Sequence, residues 1–186
     1  MPLGPSGGVA GWGGAEVQGI GAQGFPIEWF TRSNFGGRFA GQLKFAGWDG
    51  IAVTGKAANP VWIDIRDQGV AIRDASDKGD KLWGLTTTEV EKRIYELVRG
   101  KDSFNWTMYG GSRDSGRSAL NPGVLSCGPA GENLCRVASL IHEGGGGAGQ
   151  GGFGAVFGSK NLKSISVIGT GSLDIADTKA MMAARA

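Results

Sequence analysis

The sequence predicts an α+β fold, with a β-sheet base and a few helices. Residues 61–66 and 70–73 alternate apolar and polar side chains with period two around a Gln68-Gly69 turn, which is the pattern of a β-hairpin. Residues 87–99 instead repeat apolar side chains at helical spacing. Because strand-like segments come first and the two kinds of segment mix later, the order does not indicate a regular βαβ array.

The first 55 residues combine glycine with aromatic side chains. Residues 1–25 are predicted as irregular loops with one short strand near Ala15–Ile20, and residues 51–55 as another short strand. Large rings beside glycines usually pack onto exposed backbone, so the aromatic residues between these strands are predicted to lie in the core. They are Phe25, Trp29, Phe30, Phe35, Phe39, Phe45 and Trp48.

The remaining elements follow from capping and turn signals. The Thr86–Glu89 segment favours a helix start, so an amphipathic helix is predicted over 87–99, ending at Gly100. Pro129 favours a second helix start, and this helix is predicted to run to about His142. Further predictions are a long loop at 101–122, a strand at 124–127, a short helix after the glycines at 149–154, a strand at 164–168 and a helix from Thr178. We expect residues 1–172 to form one domain, incomplete at its N-terminus, and residues 173–186 to begin a following helical domain.

Composition excludes several classes of partner. The net charge is +2, and the lysines and arginines are scattered, so a nucleic acid is not expected to bind. No apolar run approaches the ~20 residues that span a bilayer, and the first residues lack the features of a signal peptide. We therefore expect no membrane association. A cytoplasmic location is also expected, since two cysteines are compatible with a reducing compartment. Cys127 and Cys135 lack metal-site spacing and are interpreted as two small buried apolar residues.

Glycine is the outlier, with 36 residues in 186. Residues 147–152 match the G-x-G-x-x-G pattern of dinucleotide sites, but the residues before them are predicted as a helix end instead of the required strand. Asp174 lies at about the right distance to contact a ribose, yet it does not close a strand. Successive glycines before a helix can still cradle an anion with main-chain N–H groups. The glycines alone are equally compatible with a close crossing of two backbone segments without ligand.

Asn34, Gly36, Gly37 and Arg38 form a second candidate anion site, because the glycines free the backbone and Arg38 offers a fork of donors. Locally, a turn with an exposed arginine explains the same residues. His142, the only histidine, is interpreted as stabilising the C-terminus of its predicted helix. Glu132 and Glu143 have the chemistry of acid–base groups, but no partner for either is evident in the sequence.

Three segments together resemble the aldehyde:ferredoxin oxidoreductase family. They are residues 33–56, which include Ser-Asn-Phe-Gly-Gly-Arg-Phe and Gln-Leu-Lys-Phe-Ala-Gly-Trp-Asp-Gly; residues 127–133, Cys-Gly-Pro-Ala-Gly-Glu-Asn; and residues 151–163, Gly-Gly-Phe-Gly-Ala-Val-Phe-Gly-Ser-Lys-Asn-Leu-Lys. Leu82-Trp83-Gly84 also fits this pattern. The resemblance runs from about residue 30 to 170, and its third segment is the most specific.

The resemblance implies a β-rich base that holds a tungsten ion bound by the dithiolenes of two pterins, with the pterin phosphates joined through magnesium. By resemblance, the main-chain carbonyls of Asn34 and Ala148 would reach this magnesium from opposite sides. Gly36, Gly37, Gly149, Gly151 and Gly152 would let the backbone approach the phosphates, with Arg38 beside them. The family commonly has arginines near positions 146 and 150 and a basic residue near position 17 or 18, which this chain lacks.

The family's usual reaction is the oxidation of an aldehyde to a carboxylic acid, with electrons leaving through a [4Fe–4S] cluster to ferredoxin. Four cysteines ligate such a cluster, so it is expected in the full-length protein but not on this chain, which alone should not be catalytic. The implied partners are ferredoxin or another electron-transfer subunit, a small aldehyde or acyl-CoA substrate, and a second copy in a homodimer. Two alternatives are the active-site subunit of a tungsten-dependent aromatic acyl-CoA reductase and a phosphate- or nucleotide-binding module without redox activity.

Overall fold

Two β-sheets form the base of the structure, a computed structural model that describes residues 14–99, 121–172 and 174–185. The strands are β1 (Gly14–Ile20), β2 (Phe30–Gly36), β3 (Val61–Arg66), β4 (Gly69–Asp74), β5 (Gly123–Cys127), β6 (Leu140–His142), β7 (Gly146–Ala148) and β8 (Leu162–Ile168). The helices are α1 (Phe39–Phe45), α2 (Thr87–Arg99), α3 (Pro129–Glu132), α4 (Phe153–Ser159) and α5 (Thr178–Arg185). This architecture confirms the predicted α+β fold.

The larger sheet has the order β4-β3-β8-β5-β6-β7, and β1 pairs with β2 in a separate hairpin. Strands β3 and β8 run parallel, whereas the other described pairs run antiparallel. Two apolar clusters cover the large sheet. One joins the sheet to α1 and α4, including Phe39, Phe157 and Ile165, and the other joins it to α2 through Trp62 and Ile94. Alternate side chains of the central strands thus fill both faces of the sheet.

The β3–β4 hairpin confirms the prediction for this part of the sequence, with one change in its turn. Arg66 pairs with Gly69, so the two turn residues are Asp67 and Gln68, where Gln68-Gly69 was predicted. Asp67 takes a left-handed conformation with φ of 49°. Its carboxylate accepts hydrogen bonds from the main-chain N–H and the hydroxyl of Thr170, at 2.7 and 2.9 Å, which tie the turn to the end of β8.

Helix α2 begins at the predicted capping signal. The Glu89 carboxylate accepts a hydrogen bond from the Thr86 main-chain N–H at 2.8 Å, and the Glu89 N–H approaches the Thr86 hydroxyl at 3.4 Å. This reciprocal arrangement satisfies main-chain donors that a helix start otherwise leaves free. Val90, Ile94 and Val98 are buried against the sheet, as the apolar spacing predicted. The predicted loop at 101–122 lies almost wholly outside the described residues.

The predicted strand at 51–55 is wrong. The segment carries no sheet ladder, and it ends in a bend at Gly55, whose φ is 70°. Just beyond it, the Ala57 N–H donates to the Lys160 carbonyl at 3.0 Å, and the Gly55 carbonyl accepts from the Lys160 ammonium at 2.9 Å. An apolar run without a neighbouring strand cannot form a ladder, so this segment is a connection anchored after α4.

The predicted helix from Pro129 to His142 is also wrong beyond its first turn. Helix α3 ends at Glu132, Asn133 hydrogen-bonds back to the Pro129 carbonyl through its side chain at 2.8 Å, and Leu134 is left-handed with φ of 57°. Residues 140–142 instead form β6 between β5 and β7. A short apolar segment such as this one is compatible with a helix or a strand, and here its pairing within the sheet decides for the strand.

A strand, and not the predicted helix end, leads into the G-x-G-x-x-G match. The match is still not a dinucleotide site. Residues 146–148 form a strand, where a helix end was predicted before the motif. However, β7, β6, β5 and β8 are joined by three successive antiparallel pairings, so β7 and β8 run in opposite directions. A dinucleotide-binding βαβ unit requires parallel strands on both sides of its helix. The match is therefore not part of such a unit.

The C-terminal helix α5 confirms the helix predicted from Thr178. The proposed boundary between residues 172 and 173 stays a prediction. Across the stretches that the structure describes, no helix combines the length and hydropathy needed to cross a bilayer.

Candidate functional site

The two glycine-rich segments singled out in the sequence lie side by side. Strand β2 runs along the segment that begins with β7. At one end, a Cβ built on Gly146 would lie 3.0 Å from the Gly36 carbonyl oxygen. At the other end, the Gln150 main-chain N–H donates to the Ser33 hydroxyl at 3.1 Å. Asn34 and Ala148 lie between these two contacts on neighbouring segments, Asn34 exposed and Ala148 buried, and their contact with magnesium stays a prediction.

The side chains of β2 alternate between a buried and an exposed face. Ser33 and Phe35 are buried, whereas Arg32, Asn34 and Gly36 are exposed. Arg32 lies opposite Gln18, near where the family commonly has a basic residue. Its guanidinium lies 3.7 Å from the Glu16 carboxylate. A positive group is therefore present on this face, although it comes from the other strand.

The predicted glycines divide into two groups when a Cβ is built on each. At Gly36 nothing lies within 4 Å of that atom, and at Gly149 the nearest atom is the Ser139 hydroxyl at 3.7 Å. Here glycine leaves space beside the backbone. A side chain would fill this space, so its presence fits the close approach of a ligand to the backbone.

The second group is required by the fold itself. Gly37, Gly151 and Gly152 have φ of 102°, 85° and 69°, a region that side chains rarely adopt. A Cβ on Gly152 would overlap the Arg136 carbonyl oxygen, and one on Gly37 would lie 2.6 Å from Nε2 of His142. The interpretation as a close backbone crossing holds for Gly152, whereas Gly37 and Gly151 are packed against side chains. The contact of all three with a cofactor stays a prediction.

The main-chain N–H groups of this loop are not all free to cradle an anion. The Gln150 N–H is used by Ser33, and the Gly151 N–H donates to the side-chain carbonyl oxygen of Gln23 at 3.0 Å. Both bonds tie the loop to the β1–β2 hairpin. Neither Ser33 nor Gln23 was predicted as a site residue. Ser33 directly precedes Asn34 in the sequence, whereas no sequence signal indicates Gln23.

The turn at 36–38 packs against two consecutive residues, His142 and Glu143. His142 is fully buried on β6, so the predicted helix-terminal role is wrong. Glu143 forms an ion pair with the Arg38 guanidinium and accepts the Arg38 main-chain N–H at 3.3 Å. Burial lowers the pKa of His142 below its ordinary value, and the charge of Arg38 adds to this effect, whereas the Val124 carbonyl and Glu91 oppose it.

Glu132 also has a partner that the sequence did not reveal. Its carboxylate pairs with the fully buried Lys163 ammonium and accepts the Gly84 main-chain N–H at 2.9 Å. Lys163 donates further to the Leu85 carbonyl at 2.7 Å. These bonds join α3, β8 and the segment before α2, so Glu132 is engaged in the interior and is not presented to a ligand.

The cysteine prediction is half right. Cys127 is fully buried, and burial raises the pKa of its thiol to about 11. Cys135 is exposed instead. Within residues 14–99, 121–172 and 174–185, no group of three or more His, Cys, Asp or Glu side chains is placed to hold a metal ion.

A cleft of about 540 Å³ opens beside the paired segments. It is lined by Gln23, Gly24, Trp29, Phe30, Thr31, Gln150 and Gly151. Trp29 and Phe30 are 59% and 66% exposed, and Phe25 and Trp48 are also exposed, so the predicted core role is wrong for these four rings. The prediction holds for Phe35 and Phe39.

Comparison with known proteins identifies relatives of this chain. The family profile described as "Aldehyde ferredoxin oxidoreductase, N-terminal domain" matches residues 26–169. The chain is 42% identical over 149 residues to the tungsten-containing aldehyde ferredoxin oxidoreductase of Pyrococcus horikoshii, covering 80% of this chain and 21% of that protein. Its counterpart from Pyrococcus furiosus is 41% identical over 158 residues, or 84% of this chain and 22% of that protein.

A solved structure shares the fold. The match is to the "Active site complex BamBC of Benzoyl Coenzyme A reductase in complex with 1,5 Dienoyl-CoA", with a TM-score of 0.69 and 30% identity over 88% of this chain and 21% of that chain. The chain thus spans about a fifth of the length of the relatives it matches. On the profile match and the identities, this chain belongs to the aldehyde ferredoxin oxidoreductase N-terminal domain family.

Proposed function

We propose that this chain holds one side of a tungsten bis-pterin cofactor in an oxidoreductase that converts aldehydes to carboxylic acids and passes electrons to ferredoxin. The observation that carries the proposal is that the two glycine-rich segments of Asn34 and Ala148 lie side by side, with open space beside Gly36 and Gly149. The tungsten-containing oxidoreductases among its relatives support the nature of the cofactor.

The chemistry of the donors fits the magnesium that joins the pterin phosphates. Main-chain carbonyl oxygens are hard ligands of the kind that Mg²⁺ accepts, and Mg²⁺ is commonly shared between protein oxygens and phosphates. The carbonyls of Asn34 and Ala148 would supply these oxygens. Gly36 and Gly149 would let phosphate oxygens approach the backbone where a methyl group would obstruct them.

Charge at the site is modest. Arg38 lies at the turn but shares its charge with Glu143, and Arg32 is exposed on the same face of the hairpin as Asn34. The cofactor phosphates would therefore meet main-chain dipoles and partly neutralised arginines. When bound, the tungsten centre supplies the two-electron chemistry, and the protein holds and orients it. The [4Fe–4S] cluster would be ligated elsewhere in the polypeptide.

A second candidate is the active-site subunit of an aromatic acyl-CoA reductase. The shared fold with the benzoyl-CoA reductase complex favours it, as does the loss of the arginines near positions 146 and 150. The higher identity to the aldehyde-oxidising relatives favours the first candidate. The proposed partners differ accordingly: ferredoxin and an aldehyde in the first case, another electron-transfer subunit and an acyl-CoA in the second. In both cases we propose a cytoplasmic enzyme, with a homodimer as its assembly.

The test is the metal and pterin content of the complete polypeptide, produced without oxygen and with tungstate supplied. We expect about one tungsten and about four irons per chain, together with pterin. Preparations without tungsten and pterin would contradict the proposal and favour a phosphate- or nucleotide-binding module. If tungsten is present, aldehyde-dependent reduction of ferredoxin supports the first candidate, whereas reductant-dependent loss of an aromatic acyl-CoA supports the second.

A further inference from the structure

His142 is a fully buried imidazole with a defined partner for each nitrogen. Its Nδ1 lies 2.7 Å from the Val124 carbonyl oxygen, and its Nε2 lies 3.3 Å from the Phe39 main-chain nitrogen. A carbonyl oxygen only accepts hydrogen bonds and a main-chain N–H only donates them. Nδ1 therefore carries a proton, and Nε2 accepts the Phe39 N–H in the neutral imidazole, the form that burial favours by lowering the pKa of His142.

The position of this ring connects it to the candidate site. Phe39 is the first residue of α1 and directly follows the Gly37-Arg38 turn. Gly37 leaves room for the imidazole, since a Cβ there would lie 2.6 Å from Nε2. The ring also makes edge contacts with Phe35 and Phe39, each at 6.0 Å between centroids. Residues on both sides of the turn thus rest on His142.

Glu143 extends this connection to the arginine of the turn. Its Oε2 lies 3.2 Å from Nε2 of His142 and accepts the Arg38 main-chain N–H at 3.3 Å, while its other oxygen pairs with the Arg38 guanidinium. Three consecutive residues, Gly37, Arg38 and Phe39, are therefore held by two neighbouring side chains from the end of β6.

We propose that His142 is a positioning residue that fixes the backbone of residues 36–39 through the lone pair of Nε2, and so prepares this turn for the cofactor. The cofactor part rests on the proposed function, whereas the effect on the turn does not. Protonation would place a hydrogen on Nε2, remove the acceptor of the Phe39 N–H and draw Glu143 from Arg38. The charged groups that act on the imidazole are Glu143, Arg38 and Glu91 of α2.

Two substitutions separate the two nitrogens. In His142→Gln, the terminal amide lies about as far from the backbone as Nε2, so its oxygen can accept the Phe39 N–H. In His142→Asn, the shorter amide matches Nδ1 and can donate to the Val124 carbonyl, but nothing reaches Phe39. Both variants remove the buried ring and leave one bond unmade, so each serves as the stability control for the other.

The experiment uses the complete polypeptide without cofactor and measures hydrogen–deuterium exchange of the peptide that covers residues 34–45. We expect about fivefold faster exchange or more in His142→Asn, as the loss of one hydrogen bond implies, and exchange near the wild-type rate in His142→Gln. After correction for the intrinsic exchange rate, which itself falls with the pH, lowering the pH should reduce the protection of this peptide in the wild type and not in His142→Gln. Tungsten content after loading should fall in His142→Asn by a similar factor and be retained in His142→Gln.

Equal exchange in the two variants would overturn the inference, because the imidazole would then act only by filling space. Unequal exchange with equal tungsten content would overturn the link to the cofactor. A wild-type protein that holds no tungsten would contradict the proposed function instead, and the exchange measurement would still decide whether His142 positions the turn.

Discussion

The Ser33 hydroxyl accepts a hydrogen bond from the Gln150 main-chain N–H at 3.1 Å, across 117 positions of sequence. Ser33 is buried on β2, and Gln150 begins the loop that leads to α4. This bond sets the spacing of the two segments that carry Asn34 and Ala148. Local backbone geometry alone cannot set that spacing, because each segment is short and glycine-rich.

Ser33→Ala should loosen this contact. The Gln150 N–H would lose its acceptor, so we expect a loss of about 1 kcal/mol in the free energy of unfolding and faster hydrogen exchange in residues 146–152. The matched control is Ser33→Thr, which keeps the hydroxyl and suits a strand. Exchange in these residues that is equal in the two variants would show that the hydroxyl does not hold the loop.

Gly36→Ala and Gly152→Ala should affect different properties. The space beside Gly36 is open, so alanine there should change stability by no more than about 0.5 kcal/mol while reducing tungsten content in the complete polypeptide. At Gly152 a Cβ would overlap the Arg136 carbonyl oxygen at a φ of 69°, so we expect a loss of roughly 3 kcal/mol or more. Thermal unfolding and metal analysis measure the two effects. A Gly36→Ala protein that is stable and fully loaded would remove Gly36 from the proposed site.

Lys163→Met should be strongly destabilising. It would leave the Glu132 carboxylate in the interior without its counter-charge, and breaking a buried ion pair from one side costs about 3–5 kcal/mol. The double variant with Glu132→Gln should recover part of this loss, because a neutral amide still accepts the Gly84 N–H. Chemical denaturation of both variants measures this recovery. If the double variant is less stable than Lys163→Met, unpaired charge is not the cause.

Stability should fall in mild acid because of His142. The unfolded imidazole takes up a proton near pH 6.5, whereas burial lowers its pKa in the folded chain. Between these two pKa values the unfolded state binds more protons, so this contribution is complete above about pH 6.5 and is lost as the pH falls through the folded pKa. Denaturation curves between about pH 7.5 and 5 should show a weaker pH dependence in His142→Gln. Parallel curves for variant and wild type would contradict this expectation.

Local sequence patterns predicted much of the fold. The alternation at 61–66 and 70–73, the Thr86–Glu89 cap and the helical spacing after it depend on neighbours in sequence, and the structure confirms each. The failures occur where a distant partner decides. Residues 140–142 become a strand because β5 and β7 flank them, and residues 51–55 do not because no strand lies beside them. Neither neighbour can be identified from spacing alone.

The same limit applies to the site. The sequence identified both glycine-rich segments, but it could not distinguish Gly36, which has open space, from Gly152, which packs against Arg136. That distinction depends on how Gly152 packs against Arg136 and Gln23, which lie outside its own segment. The partners of His142 and Glu132 were likewise hidden, since Val124, Phe39 and Lys163 come from other elements.

The place of β8 in the large sheet has a consequence for biosynthesis. This strand is the last of the sheet to leave the ribosome, yet it lies between β3 and β5. Strand β3 cannot form its pairing with β8, which begins at Val61 and Leu162, until residue 162 has been synthesised. Until then, the β3–β4 hairpin and the β5–β7 strands are separate pieces, each with an open edge that invites wrong partners. Sheets that depend on such distant pairings form slowly, and partly made chains of this kind are prone to aggregate. A nascent chain that stalls before residue 162 would therefore depend on chaperones to remain competent for folding.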